Sequence, residues 1–198
     1  MKKYLFYLCI WLLPLLAHAF DLNDLSRQLQ QPQSIQGEFI QQRYLASLNK
    51  PLQTEGVFVL QPKKILLWDM QKPFAQRLRV RADGIDQWNG QNWQRSANQS
   101  AAQRRQMQLF LDLLGGNAQG LQQHFSMALS GNAQRWQLLL QPKSALMQQI
   151  FTRINIRGNA VVREVEIAEK QGDKTVMRFE NIRIDAPFSQ EQSRALAQ

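Results

Sequence analysis

Apolar residues recur with a period of two, run after run, between Gly37 and Asp185. Arg77 to Arg81 is the cleanest case: Leu78 and Val80 point one way, and Arg77, Arg79 and Arg81 the other. Successive side chains of a strand face opposite ways, so this pattern predicts an antiparallel sheet with one wet face. Gly37 to Leu45 reads as a strand with Phe39 on one face and Ile40 and Tyr44 on the other. Gly56 to Gln61 is apolar on both faces, which predicts cover on both sides. Ile65 to Met70 is a further strand, bounded by Pro62 and Pro73. Asn49-Lys50-Pro51, Asp83-Gly84 and Asn89-Gly90 supply turns, with Trp88 and Trp93 flanking the last. Later, Trp136, Leu138 and Leu140 share a face, and Ile154 and Ile156 alternate with Arg153, Asn155 and Arg157. Val161 to Glu169 and Thr175 to Asp185 complete the series, joined by Gln171-Gly172-Asp173.

Elsewhere the period lengthens. Asp21 to Gln31 carries Leu22, Leu25 and Leu29 at helical spacing, and Pro32 follows its end. Gln99 to Leu114 carries a stripe of Met107, Phe110, Leu111 and Leu114, stopped by Gly115-Gly116. A short helix is expected around Gly120 to His124, and Ser189-Gln190-Glu191-Gln192 resembles a capping box that opens a last one. The predicted order is therefore helix, four or five meandering strands, helices, then four or five more strands, in one domain. Many short strands at hairpin spacing indicate a sandwich or a barrel. The amphipathic helices need somewhere to lay their apolar faces, and the concave side of one strongly curved sheet is the simplest place.

The start of the chain points to export. Lys2 and Lys3 precede an apolar run from Tyr4 to Leu16, and Ala17-His18-Ala19 places small residues where a signal peptidase cuts. The run is shorter than the ~20 residues a bilayer span needs. Residues 1–19 are thus expected to be a cleaved signal peptide and residues 20–198 the mature domain, in the periplasm. Cys9 lies inside that segment, so the mature part has no disulfide and must rest on packing. The formal net charge is +9. In an exported protein such a balance fits a membrane surface, an acidic partner or a solvated exterior better than nucleic acid.

No catalytic set stands out. His124 is the only histidine after the leader, the acids are scattered, and Glu164 and Glu166 beside Arg163 read as exterior charges. No phosphate-binding glycine motif is present. The reading is therefore a non-enzyme without metal or cofactor. What the mature part does have is aromatic bulk, including Trp68, Trp88, Trp93 and Trp136.

Three stretches then resemble a known family. GEFIQQRY, EGVFVLQPKKILLWDMQKP and RVRADGIDQWNG are similar to the LolA family of periplasmic lipoprotein carriers. The matching positions are Phe39 and Gln41, Gly56 and Pro62, Leu67 and Trp68, Pro73, Asp83-Gly84, and Trp88; the tail FENIRIDAPF looks like the family's closing strand. The resemblance implies an unclosed antiparallel β-barrel, mainly β with α, whose helices lid an apolar cavity. It implies a monomeric carrier that takes lipoprotein acyl chains from an inner-membrane ABC-type release complex to an outer-membrane receptor. That receptor, similar in fold, would need an acylated cysteine at its cleavage site, which this chain lacks. On this reading the cavity is lined by Phe39, Phe58, Leu60, Leu66, Trp68, Leu78 and Trp88 from the sheet, and lidded by Met107, Phe110, Leu111 and Leu114. One position departs. The family carries an arginine before the Pro of the second strand, tying down the lid; here Gln61 stands there, and an amide cannot reproduce a bidentate charged contact. The cargo could then be a different lipid, a glycolipid or polyene lipid. Rival classes are a periplasmic lipid-sensing interaction module and a hydrolase on a β-scaffold.

Overall fold

The computed structural model describes residues 19–95 and 101–197, with side chains in those ranges except in 101–107. The predicted leader, but for Ala19, and the first two residues of the predicted central helix lie outside the described residues. Helix α1 (Leu22–Gln30) leads into six strands: β1 (Ile35–Tyr44), β2 (Leu52–Gln61), β3 (Ile65–Lys72), β4 (Gln76–Arg81), β5 (Gly84–Trp88) and β6 (Trp93–Arg95). Helices α2 (Ala101–Gly115) and α3 (Ala118–Gln122) follow, then β7 (Phe125–Asn132), β8 (Arg135–Pro142), α4 (Ala145–Ile150), β9 (Phe151–Gly158), β10 (Val162–Glu169) and β11 (Lys174–Ile184). Helix α5 (Gln190–Ala197) comes last. The predicted alternation of helices and meanders holds, with β5, β6, β7 and α4 as elements the periodicity did not mark. The helix expected near Gly120 starts and ends two residues earlier.

All the described strands form one antiparallel sheet in the order β6-β5-β4-β3-β2-β1-β11-β10-β9-β8-β7. The two meanders are joined where β1 pairs with β11, Phe39 opposite Phe179. β6 and β7 end the sheet without pairing to each other, so the half-barrel is unclosed, as the resemblance implies. One predicted turn shifts. Arg81 pairs with Gly84, so Ala82-Asp83 makes the turn and Gly84 opens β5 at φ +149°.

Register sorts the side chains between two faces, because residues directly opposite each other across strands share a face. The inner face carries Phe39, Phe58, Leu60, Leu66, Trp68 and Val80, continuing into Leu138, Leu140, Ile154, Ile156 and Val165 of the second meander. Onto it α1 lays Leu25 and Leu29, and α2 lays Leu113 and Leu114. The first turn of α1 is fixed by a capping box: the Asp21 carboxylate accepts from the amides of Asn23 and Asp24, and Asp24 accepts from the Asp21 amide.

The outer face is not uniformly wet. Val59, Ile65 and Leu67 form a second apolar cluster with Ala195, flanked by Trp93, Phe188 and Leu196. This is the double cover that the apolar β2 predicts, and α5 supplies it. Arg79, placed by alternation on the wet face, is instead buried beneath α5 and paired with Asp86 at 2.9 Å. Alternation finds the outer face but does not reveal what lies over it. The predicted cap of α5 is present: the Ser189 hydroxyl accepts from the Gln192 amide at 3.1 Å, and Gln192 Oε1 accepts from the Ser189 amide at 2.8 Å. Ser189→Ala should therefore cost about 1 kcal/mol of stability. A denaturation midpoint identical to wild type would mean that α5 docks without its cap.

Candidate functional site

The candidate site is the inner wall beneath α2. Its centre is made possible by a glycine. Gly56 faces Phe39 across the β1–β2 pairing, and a Cβ at Gly56 would stand 2.0 Å from the Asp69 carbonyl oxygen and 2.8 Å from a Phe39 ring carbon. The bare backbone lets the Phe39 ring lie flat on the sheet. Trp68 stacks on that ring, with centroids 3.7 Å apart and planes 22° apart. Phe110 of α2 meets Trp68 edge-on, at 5.4 Å and 88°. Phe179 joins from β11, 5.2 Å from Phe58 and 6.4 Å from Trp68. Edge-to-face rings at these separations add attraction beyond the area they bury.

The sheet residues expected to line a cavity are thus Phe39, Phe58, Leu60, Leu66 and Trp68, all buried, with Leu78 partly buried on the same wall. Phe110, Leu111 and Leu114 of α2 face them. The Met107 side chain lies outside the described residues. Trp88 requires correction. It pairs with Trp93 and shares strand parity with Asp86, so it belongs to the outer face, where its ring meets Trp93 at 5.4 Å. Sequence reasoning missed Leu113, a buried residue of α2, and Phe179. Phe179 reaches the cluster only through the β1–β11 pairing, which no local pattern discloses.

A void bounded by Ile35, Phe58, Leu60, Leu114, Val162 and Phe179 holds only about 10 Å³. A cleft of about 150 Å³ opens beside it, between the β2–β3 turn and α2, with Leu60 and Leu111 as its apolar lining and Lys63, Lys64 and Asp112 at its rim. Gln61 lines this cleft and makes no side-chain hydrogen bond to another described residue. A wider hollow of about 880 Å³ beside α1, lined by Phe20, Arg27, Gln28, Gln31 and Gln134 among others, is an open groove away from the aromatic cluster.

The lid is pinned at one end. The carbonyl oxygen of Gly116 accepts from the Ser26 hydroxyl at 2.6 Å and from Gln30 Nε2 at 2.8 Å, both on α1. Gly116 adopts φ +68°, the left-handed conformation that ends a helix, and a Cβ there would stand 2.6 Å from Leu29 Cβ. Asp112 accepts from Gln108 and Asn117, closing the last turn. The inner-wall side chains named above carry no charge, so the site can grip a guest only through area and shape. His124 is exposed. Among the described residues no three His, Cys, Asp or Glu side chains gather as a metal set, and no helix is long and apolar enough to cross a membrane.

Residues 16–187 match the family model described as outer membrane lipoprotein carrier protein LolA-like. A protein of Dechloromonas aromatica (strain RCB) named outer-membrane lipoprotein carrier protein is 28% identical over 183 residues, covering 91% of this chain and 86% of its own length. Among solved structures, a LolA superfamily protein from Nitrosomonas europaea covers 86% of this chain and 96% of its own, at 8% identity and a TM-score of 0.43. A chain of the Pseudomonas aeruginosa MucA/MucB complex matches 86% of this chain at 14% identity and a TM-score of 0.47, and this chain spans 58% of its length.

Proposed function

Since this chain belongs to the LolA-like family of outer membrane lipoprotein carriers, we propose that it binds acyl chains of a lipoprotein against its inner wall and carries them across the periplasm. The observation that supports this reading most is the uncharged aromatic wall covered by one helix pinned at its C-terminal end. Burying acyl chain is worth ~0.8 kcal/mol per CH₂, so a long-chain acyl group left bare in water is opposed by on the order of 10 kcal/mol. A carrier removes that barrier only if it also lets go, and area-based contact without fixed polar anchors suits handover.

On this reading loading requires the lid to move. The void beneath Leu114 holds about 10 Å³, too little for a hydrocarbon tail, and Phe110 lies edge-on against Trp68, so a guest gains wall area by displacing Phe110. With the Gly116 carbonyl held by α1, α2 swings about its C-terminal end, and the guest's methylenes replace the contacts that Phe110, Leu111 and Leu114 made. Where the family carries an arginine, Gln61 supplies no charge to hold the closed state, so the latch here is the apolar contact itself. The donor on this reading is an inner-membrane ABC-type release complex, the acceptor an outer-membrane receptor, and the carrier a monomer.

Phe110→Asp with Leu111→Asp places two carboxylates against the wall, and bound acyl chain should fall at least about tenfold. Mass spectrometry of lipid that co-purifies, with uptake of a fluorescent fatty acid, measures it. Wild-type protein that carries no lipid and takes up no fatty acid overturns the carrier reading. Co-purified lipid of another class, a glycolipid or a polyene lipid, keeps the carrier and replaces its cargo.

A further inference from the structure

The large apolar side chains exposed on the described surface are concentrated. Tyr44, Leu48, Leu52, Phe74, Leu146 and Ile150 all lie at one end of the half-barrel, and Ile184 lies at the other. Strand direction shows why. β1, β3, β8 and β10 run toward that end, and β2, β4, β9 and β11 leave from it. The β1–β2, β3–β4 and β10–β11 hairpin tips and α4 therefore crown the same rim. They also touch one another. The Ala46 amide donates to Asp173 Oδ1 at 3.1 Å, tying the first tip to the β10–β11 tip. The Lys170 amide donates to the Ile150 carbonyl at 2.9 Å, tying that tip to α4. Lys72 pairs with Glu55 at 2.9 Å, tying the β3–β4 tip to β2. Phe74 is 82% exposed, Leu52 53% and Leu48 48%. Single exposed apolar residues are ordinary, but six gathered on one rim are not.

The same tips carry exposed lysines: Lys50, Lys72, Lys143 and Lys170. The carboxylates at this end are already engaged, Glu55 by Lys72, Glu169 and Asp173 by Arg43. The Lys72 hydrogen bond holds the Glu55 carboxyl below its usual range, so that pair stays neutral in sum. Lys50, Lys143 and Lys170 form no ion pair with another described residue and leave the rim net positive.

We propose that this rim docks on an anionic phospholipid membrane, its apolar tips entering the headgroup layer while the lysines meet lipid phosphates. Separate tips that each pair an apolar side chain with a lysine suit a soft interface, where the apolar part sinks and the ammonium stays at the phosphate level. A second copy of the chain would bring the same positive rim and be repelled. The inference does not depend on what the inner wall carries: uptake of dissolved fatty acid tests the wall, and vesicle binding tests the rim.

The test is sedimentation of the purified chain with vesicles of phosphatidylethanolamine and phosphatidylglycerol, and with vesicles of phosphatidylcholine alone. Wild type should bind the anionic vesicles, bind the neutral ones far less, and come off at high salt. Phe74→Asp with Ile150→Asp should weaken binding about tenfold, and Lys50→Gln with Lys143→Gln and Lys170→Gln by a similar factor. Melting curves of both variants should overlay wild type, because every substituted side chain is exposed. Absence of binding, equal binding to both vesicle types, or equal binding of wild type and variants each overturns the proposal.

Discussion

Asp86→Ala should destabilise the protein by about 3–5 kcal/mol, although Asp86 touches no residue of the candidate site. Asp86 Oδ2 accepts from Arg79 Nε at 3.0 Å and Nη2 at 2.9 Å, and Arg81 stands 3.5 Å from the same oxygen. Arg95 approaches Oδ1 at 3.4 Å. The Arg79 and Asp86 side chains are 6% and 8% exposed. The Arg79 guanidinium also lies 4.6 Å over the Trp93 ring and donates to the Ala195 carbonyl of α5 at 3.3 Å. Removing the carboxylate strands a buried cation among two other arginines, under a helix that cannot move aside without exposing Val59 and Leu67. Equilibrium denaturation reads this as a lower midpoint at unchanged slope. The double change Arg79→Met with Asp86→Leu removes both charges and should recover most of the loss. A single variant within about 0.5 kcal/mol of wild type would show that water already reaches the pair.

That pair also marks how far the sequence can be read. Period-two alternation sorted Leu78 and Val80 from Arg77, Arg79 and Arg81 onto opposite faces, and the sheet does separate them. Alternation is a local property of the strand, so it needs no knowledge of the rest. Whether an outer-face residue meets water depends on α5, more than a hundred residues later in the chain, and that contact leaves no mark near Arg79. Trp88 failed for a different reason. Its place on the wall came from the family resemblance, whereas strand parity sets it with Asp86 on the face opposite Ile85, wherever in this hairpin the two-residue turn falls. Phe39, Phe58 and Trp68 were legible through the family resemblance, with alternation adding support only at Phe39, because the strand of Phe58 is apolar on both faces. Phe179 was not, because its neighbour Phe39 is reached only through the pairing of the first and last strands. The half-barrel itself was readable from hairpin spacing and helix stripes, whereas the packing of Phe110 against Trp68 is a matter of side-chain volumes that spacing does not encode.

Trp68→Ala should lower stability by about 3–5 kcal/mol and at the same time strengthen the response to ligand. The ring is held between Phe39 and Phe110, with Phe58 and Phe179 behind, so its removal leaves a hole that stacked rings on a pleated sheet cannot collapse to fill. In an ordinary core that loss is all that happens. In a carrier wall the hole is the space a guest needs, already opened without lifting α2. A ligand that binds only the folded form stabilises it by RT ln(1 + [L]/Kd), about 2.7 kcal/mol at a hundredfold excess over Kd. Wild type must first break the Phe110–Trp68 contact to bind, which raises its apparent Kd; the variant has less to break. Melting curves with and without a saturating fatty acid should therefore show a larger upward shift for Trp68→Ala than for wild type. Loss of stability with no ligand-induced shift in either protein would make Phe39, Trp68 and Phe110 a packed core and nothing more.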